Sequence, residues 1–444
     1  MKLKQNIFEK YNHPDVVAVV SPYPKKGEVY SAGTTGVASY SKNVVRGFSR
    51  KALVLTDYKA VKEAYEEDNT LVMRCYRKNS ATMWFAVYKR LRKFKQIKTV
   101  LVHFDFSMYG SFTTAGQIIP FLFLLKLAGY KVSVVSHSVI LDVNKLSGHV
   151  GLTNSLLDRV KAVGYNSVFR LFYYLLGLTA SNIIVLEKKL KDRLGRVVDN
   201  SKIQAIPHGV DATLATVSKE KARKQLGIGS NEQVVLFFGF VNWFKGADFF
   251  AETFDNITKL LNKPARFIMA GGKSPTLNDK TYYRDYFAKV DRLVKKAKNI
   301  EITGYVPQEK IKLYFAAADL VVFPYRDFMC ASGVLSLTFS YQKPFIVSSE
   351  LAKMLDARDF KQALRQVGLA KSDMVFSLEQ ADLLNQTTNV LADGLKPKLE
   401  ELTKIISEQR SFAKTAILYE DALFATTTAV SGSLALEVSQ AYGK

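Results

Sequence analysis

The sequence predicts an α/β protein made of two doubly wound domains. Short apolar runs recur from one end of the chain to the other, with little strict alternation of apolar and polar residues, which is the pattern of strands buried on both faces. Longer helical patterns separate them, and helical connections force parallel neighbours and sheets covered on both sides. The 444 residues exceed what one core organises and fit two or three domains.

In order, the predicted strands of the first half are VVAVVS (16–21), ALVLT (52–56), LVMRCY (71–76), TVLVHF (99–104), KVSVVSH (131–137), NIIVLE (182–187) and IQAIPH (203–208). The second half supplies VVLFFG (234–239), ARFIMAG (265–271), IEITG (300–304), LVVFPY (320–325), FIVSS (345–349) and MVFS (374–377). Between the halves, PHGVDATLAT (207–216) leaves a strand for a polar, helix-rich stretch, which puts the first domain at 1–207 and the second at 208–424. The tail reads as helix: LKPKLEELTKIISEQ, then SFAKTAILYEDALFATTTAV. The most apolar stretch, IIPFLFLLKLAGY (118–130), is interrupted by Pro120 and Lys126 and is shorter than the ~20 residues a membrane span needs, so it is expected to be a buried helix.

Composition limits the function classes. With 48% hydrophobic and 23% charged residues the chain is globular, and Cys75 and Cys330 alone make neither a disulfide framework nor a Cys-rich metal site. The first residues are polar and lack an apolar signal core, so a cytoplasmic location is expected, with a peripheral position at the inner face of a membrane as its variant. Lys and Arg number 63 against 40 Asp and Glu, a net charge of +23. Such a surface attracts nucleic acid, anionic lipid or acidic polysaccharide without choosing among them. No zinc-finger pattern, aromatic RNP signature or helix-turn-helix is visible, so nucleic acid is not an expected partner.

Two loops that follow strands of the second half carry the residues a phosphorylated ligand needs. In VVLFFGFVNWFKGAD a lysine, Lys245, precedes Gly246. In AAADLVVFPYRDFMCASGVLSLTFSYQKPFIVSS, Ser332 and Gly333 open a helix whose free N–H groups can meet an anion, with Ser332 as cap. A cation and a helix N-terminus at the carboxyl ends of parallel strands form a diphosphate site. The histidines and carboxylates show no metal-ligand spacing, so no metal and no other cofactor is expected.

In order and spacing, SPYPKKGEVYSAGTTGVASYSKNVV, VVSHSV, IPHGVD, FFGFVNWFKGAD, IMAGG, ITGYVP and the 316–349 segment resemble the retaining GT-B glycosyltransferases of the family 4 type, also called glycosyl transferases group 1. The resemblance covers most of the chain. It implies two Rossmann-like domains facing across a cleft, the nucleotide sugar held mainly by the second and the acceptor by the first. In that family the last helix commonly returns to the first domain, which would attach residues from about 425 to 444 there.

The resemblance implies roles for individual residues. Lys245 would stabilise the charge growing on the departing diphosphate, and His137, at the end of KVSVVSH, would face the reacting sugar. The donor set comprises Gly36 (with Gly33 nearby), Gly239, Lys245, Gly304, Tyr305, Ser332, Gly333 and Val334, with Asp327 as a stand-in carboxylate. His103 and Asp105 are candidate acceptor ligands, equally readable as loop-capping residues, and His208 would organise the hinge. Two departures stand out: many relatives carry Glu-x7-Glu where this chain has Met329 and Leu337, and an arginine where it has Phe240.

WFAVYKRLRKFKQIK (84–98), with Trp84, Tyr88 and Leu91 on one side, and NSLLDRVKAVGYNSVFRLFYYLLG (154–177) combine aromatics with cations. Each is either a face for an anionic membrane or an ordinary helix packing its apolar side on a sheet. The function expected is transfer of a hexose from a nucleotide sugar to a glycan or lipid-linked acceptor in polysaccharide or glycolipid biosynthesis. A catalytically degenerate GT-B scaffold acting as a binding or regulatory partner is the alternative.

Overall fold

The computed structural model describes residues 4–30, 36–58, 60–152, 155–275, 277–392 and 394–424. The first domain is built on an eight-stranded sheet. Its strands are β1 (Val17–Val20), β2 (Ala52–Asp57), β3 (Ala64–Glu67), β4 (Thr70–Tyr76), β5 (Thr99–Phe104), β6 (Lys131–Ser136), β7 (Asn182–Val185) and β8 (Ile203–Ala205). Their order is β3-β4-β2-β1-β5-β6-β7-β8, all neighbours parallel except the hairpin of β3 with β4. The reversal on either side of β1 is the doubly wound switch point, and the crevice beyond the carboxyl ends there is where such sheets bind ligands.

Strand alternation splits the core of this domain into two layers. Ala18 and Val20 face the helices Met83–Leu91, Ile118–Leu127 and Leu156–Thr179, where Trp84, Leu122 and Leu176 are buried. Val17 and Val19 face the other layer, which contains Val44 and Val45 of the helix Gly36–Arg46 and Tyr419 and Leu423 of the helix Phe412–Phe424. The chain has therefore already returned to the first domain by residue 412. Residues 425–444, where the return was expected, lie outside the described residues.

The second domain carries β9 (Gln233–Phe238), β10 (Lys259–Leu260), β11 (Lys263–Ala270), β12 (Ile300–Ile302), β13 (Leu320–Phe323), β14 (Phe345–Ser348) and β15 (Val375–Phe376). They run β10-β11-β9-β13-β14-β15, with β12 also pairing with β11, and again all are parallel except the β10–β11 hairpin. Both sheets present the carboxyl ends of their central strands to the space between the domains.

Where the chain crosses back, Arg410 is buried between Glu187 of the first domain and Asp359 of the second, 2.5 Å from each carboxylate. A second tie joins Arg193 to Asp327 at 3.6 Å. Backbone contacts also cross: Ser138 bridges Cys330, and the Tyr30 N–H donates to Gln308 Oε1 at 2.8 Å.

The stretch 84–98, helical only within Met83–Leu91, follows its ordinary packing reading. Trp84 and Leu91 are buried, and the Trp84 indole N–H donates to the Thr114 carbonyl at 2.8 Å. The stretch expected to be a buried helix, 118–130, buries Phe121, Leu122 and Leu125 but leaves Phe123, Leu124 and Leu127 exposed. Among the described residues no helix is long and apolar enough to cross a membrane.

Candidate active site

A cavity of about 430 Å³ opens between the domains, lined mainly by apolar side chains. Its floor comes from the ends of β9 and β11. Gly239 follows β9 with φ +107°, and its N–H donates to the Ala270 carbonyl at 2.9 Å. A Cβ on Gly271 would sit 1.9 Å from the Gly239 carbonyl oxygen, so only glycine lets the two loops close over each other.

Lys245 ends the single turn Trp243–Lys245, which Asn242 caps by accepting from the Lys245 N–H at 3.2 Å. Its side chain reaches back over the floor: a Cβ on Gly239 would lie 2.7 Å from Lys245 Nζ. Among the described residues no carboxylate pairs with this ammonium. Burial between apolar walls pushes it down to about 8, with Cys330 opposing the shift. Part of the Lys245 side chain stays in contact with solvent, so the direction follows from the walls around Nζ rather than from complete enclosure.

Across the cavity, Ser332 caps the helix Gly333–Ser340, its Oγ accepting from the Leu335 N–H at 3.2 Å and lying 2.9 Å from the Tyr325 hydroxyl. The N–H groups of Gly333 and Val334 belong to the first turn, where no intrahelical carbonyl can take them. From the first domain, Gly36 opens its helix at the cavity wall beside Tyr40 and Asn43. One space thus gathers Gly36, Gly239, Lys245, Tyr305, Ser332, Gly333 and Val334. Gly304 sits behind Tyr305 in the loop after β12, with φ +74°. Gly33 lies outside the described residues.

Besides Gly304, four of the expected site residues do not line this cavity. His103 is wholly buried, with Nδ1 2.9 Å from His137 Nε2, so it has no surface to offer an acceptor. His137 packs behind Tyr40, ring centroids 5.3 Å apart, and it is Tyr40 that reaches the cavity. Burial holds the His137 imidazole down at about 3 and His103 well below the usual range. Asp105 ties its own loop together, accepting from the Ser107 N–H at 3.0 Å and from the Ser138 hydroxyl at 2.7 Å. Asp327 is buried beside Arg193 of the first domain, 3.6 Å away, and does not line the cavity; burial raises its carboxyl.

The structure adds residues that were not expected in the donor or acceptor set. His208, expected at the hinge, also lines the cavity; its ring centroid is 4.6 Å from that of Tyr40, and burial lowers it to about 4. Phe412, from the returning helix, completes that wall. Leu337, where a carboxylate was the family pattern, faces the cavity as an apolar side chain. The nearest signal for Tyr40 and Asn43 was their spacing of four and seven residues from Gly36 on one helix, which no motif marks. Among the described residues no group of histidine, cysteine and carboxylate side chains could hold a metal ion.

Two Rossmann-like α/β domains with parallel sheets and a cleft at their carboxyl ends define the GT-B fold. Comparison with known proteins agrees. Residues 232–362 match the family described as "Glycosyl transferases group 1". An uncharacterised glycosyltransferase of Methanocaldococcus jannaschii is 24% identical over 186 residues, a match spanning 40% of this chain and 44% of that protein's length. Sucrose-phosphate synthase from Thermosynechococcus elongatus superposes with a TM-score of 0.67 at 14% identity, covering 93% of this chain and all of that one. Anabaena HepE in complex with UDP-glucose gives 0.63 at 13% identity, again with 93% and 100% coverage.

Proposed function

We propose that this protein transfers a hexose from a nucleoside-diphosphate sugar to a glycan or lipid-linked acceptor, with retention of configuration, in polysaccharide or glycolipid assembly. The observation that carries the reading is the pairing, in one cavity, of an ammonium at Lys245 that has no carboxylate partner among the described residues and the open helix terminus at Ser332–Gly333. Support also comes from a similar structure, HepE, whose complexes contain UDP and UDP-glucose.

In this mechanism the acceptor hydroxyl attacks the anomeric carbon on the face the diphosphate leaves. The carbon–oxygen bond to the β-phosphate breaks, its electron pair stays on the diphosphate, and the acceptor proton passes to a departing phosphate oxygen. The protein needs no base for this; it must hold the charge that develops. The Lys245 ammonium and the Gly333 and Val334 N–H groups do so, and they gain more as the bond breaks than in the ground state. Tyr325 fixes the Ser332 hydroxyl that caps this terminus. With Gly36 kept in the donor set, the acceptor would enter along the first-domain wall of Tyr40, Asn43 and His208, which line the cavity, whereas His103 and Asp105 do not. No carboxylate stands at Leu337 for the donor ribose, and the loop at Gly304–Tyr305 would meet the nucleotide base through backbone atoms.

The test is thermal unfolding with UDP, GDP, ADP and their sugars, since a ligand bound only to the folded state stabilises it by about RT ln(1 + [L]/Kd). One nucleotide series should raise the midpoint, and its sugar should be turned over to a product whose anomeric configuration NMR reads. Lys245→Ala should fold and lose turnover. No response to any nucleotide, or near wild-type turnover in that variant, would overturn the assignment.

A further inference from the structure

The helix Leu156–Thr179 packs on the first domain through Phe172, Tyr173 and Leu176, which are buried. Its opposite side is not polar. At 100° per residue, Leu156, Val160, Val163, Leu171, Tyr174 and Leu178 fall along one stripe. Every one of them is exposed, Leu156 at 78% and Val160 and Val163 at 65%. The neighbouring helix Ile118–Leu127 packs beside it and adds exposed Phe123 and Leu127, and Lys126 Nζ donates to the Leu178 carbonyl at 3.0 Å. With half or more of most of these side chains in water, the face amounts to on the order of 1,000 Å², above the ~300–600 Å² of the largest apolar patch on a typical monomer.

Charge decides what covers this face. Arg159 and Arg170 flank the stripe on one side and Lys161 on the other; the only carboxylate of the helix, Asp158, is held by Lys161 at 3.0 Å. Among the described residues neither arginine has a carboxylate within ion-pair distance. From residue 69 to 186 the sequence carries fifteen Lys and Arg against only Asp105, Asp142 and Asp158. Two copies docking through this face would bring cations against cations. An apolar stripe bordered by unpaired arginines instead matches an interface of acyl chains below anionic headgroups.

We infer that the exposed face of the helix Leu156–Thr179, extended by Phe123 and Leu127, docks on an anionic lipid bilayer. The helix lies flat, its stripe below the headgroups and its arginines among them. The placement also serves the cleft. The turn Ser147–Val150, just before this helix, packs on the Trp243–Lys245 turn, so closely that a Cβ on Gly148 would meet the Trp243 indole at 2.4 Å. Docking therefore sets the mouth of the cavity beside the headgroup layer, within reach of a lipid-borne substrate.

Co-sedimentation tests this with vesicles of equal parts phosphatidylglycerol and phosphatidylcholine, and with phosphatidylcholine alone. The full chain should pellet with the anionic vesicles at low salt and be released as salt rises. Combined Val160→Ser, Val163→Ser and Leu171→Ser changes touch only exposed positions and should weaken binding tenfold or more. Arg159→Gln with Arg170→Gln should weaken it chiefly at low salt. A full chain that stays in solution with anionic vesicles at low salt, or a triple variant that binds as well, overturns the inference. So does an oligomer in sedimentation equilibrium that the triple variant dissolves, which would make the face a contact between copies. No donor enters these measurements, so they stand apart from the glycosyl-transfer reading.

Discussion

Lys245→Met should make the free protein more stable while abolishing turnover. The ammonium lies between apolar walls with no carboxylate partner among the described residues, and burial lowers it from its ordinary 10.5 to about 8. The sign follows from proton counting. Below about pH 8 the lysine is charged in both states, and the folded protein bears the full cost of desolvation; that cost is relieved as pH rises from about 8 to 10.5. Complete enclosure would put it at about 3 kcal/mol, and the solvent contact Lys245 keeps reduces this to about 1–3 kcal/mol. Methionine has similar length and no charge, so at neutral pH it removes the cost without opening a hole. At about 2–4 °C per kcal/mol for a domain of this size, the melting midpoint should rise by several degrees. The gain should shrink as the assay moves toward about pH 10, where the wild-type lysine is neutral. Such a trade marks a group kept for function at the expense of stability. A midpoint equal to or below that of the wild type at neutral pH would refute the reasoning, because it would mean that the ammonium is already satisfied in the free protein.

Two further outcomes follow from buried charge. Turnover per donor at low concentration, kcat/KM, should be flat from about pH 5 to 7 and fall above about 8 as Lys245 loses its proton. His137 and His208, held at about 3 and 4, do not titrate in the flat range, and an acid limb with a midpoint near 6.5 would show an imidazole changing charge in the site. Arg410→Ala should cost about 3–5 kcal/mol, since it strands Glu187 and Asp359 in the interior. Burial already raises the Glu187 carboxyl, so the loss should be largest at neutral pH and smaller at an acidic pH, where protonation discharges it. Denaturant unfolding at the two pH values checks both size and direction; a loss that grows on acidification would contradict it.

Much of this architecture was legible in the sequence, because parallel strands covered on both faces must be apolar throughout. Each of the thirteen β-branched runs became a strand, from VVAVVS at β1 to MVFS at β15. The two strands that pattern reading missed, Ala64–Glu67 and Lys259–Leu260, are the antiparallel edge strands. Their residues, AYEE and KL, are half solvated, so they carry no buried-run signal. Lys245, Ser332 and Gly333 were also legible, since each follows a buried strand at a turn where backbone geometry restricts the choice of residue.

Tertiary structure decided what a side chain at a strand end faces. His103, His137 and Asp327 stand where a sequence motif places a ligand contact. Their neighbours turn the two histidines onto each other and the carboxylate onto Arg193. The cavity wall they were expected to form is made by Tyr40, His208 and Phe412, which come from distant parts of the chain. The same holds for the two amphipathic stretches rich in aromatics and cations. Their composition is alike, yet the sheet covers Trp84 and Leu91 and leaves the outer stripe of Leu156–Thr179 bare. Strand and helix periods are local properties that a sequence states directly, whereas burial depends on which other element arrives to cover a face, and only the folded chain decides that.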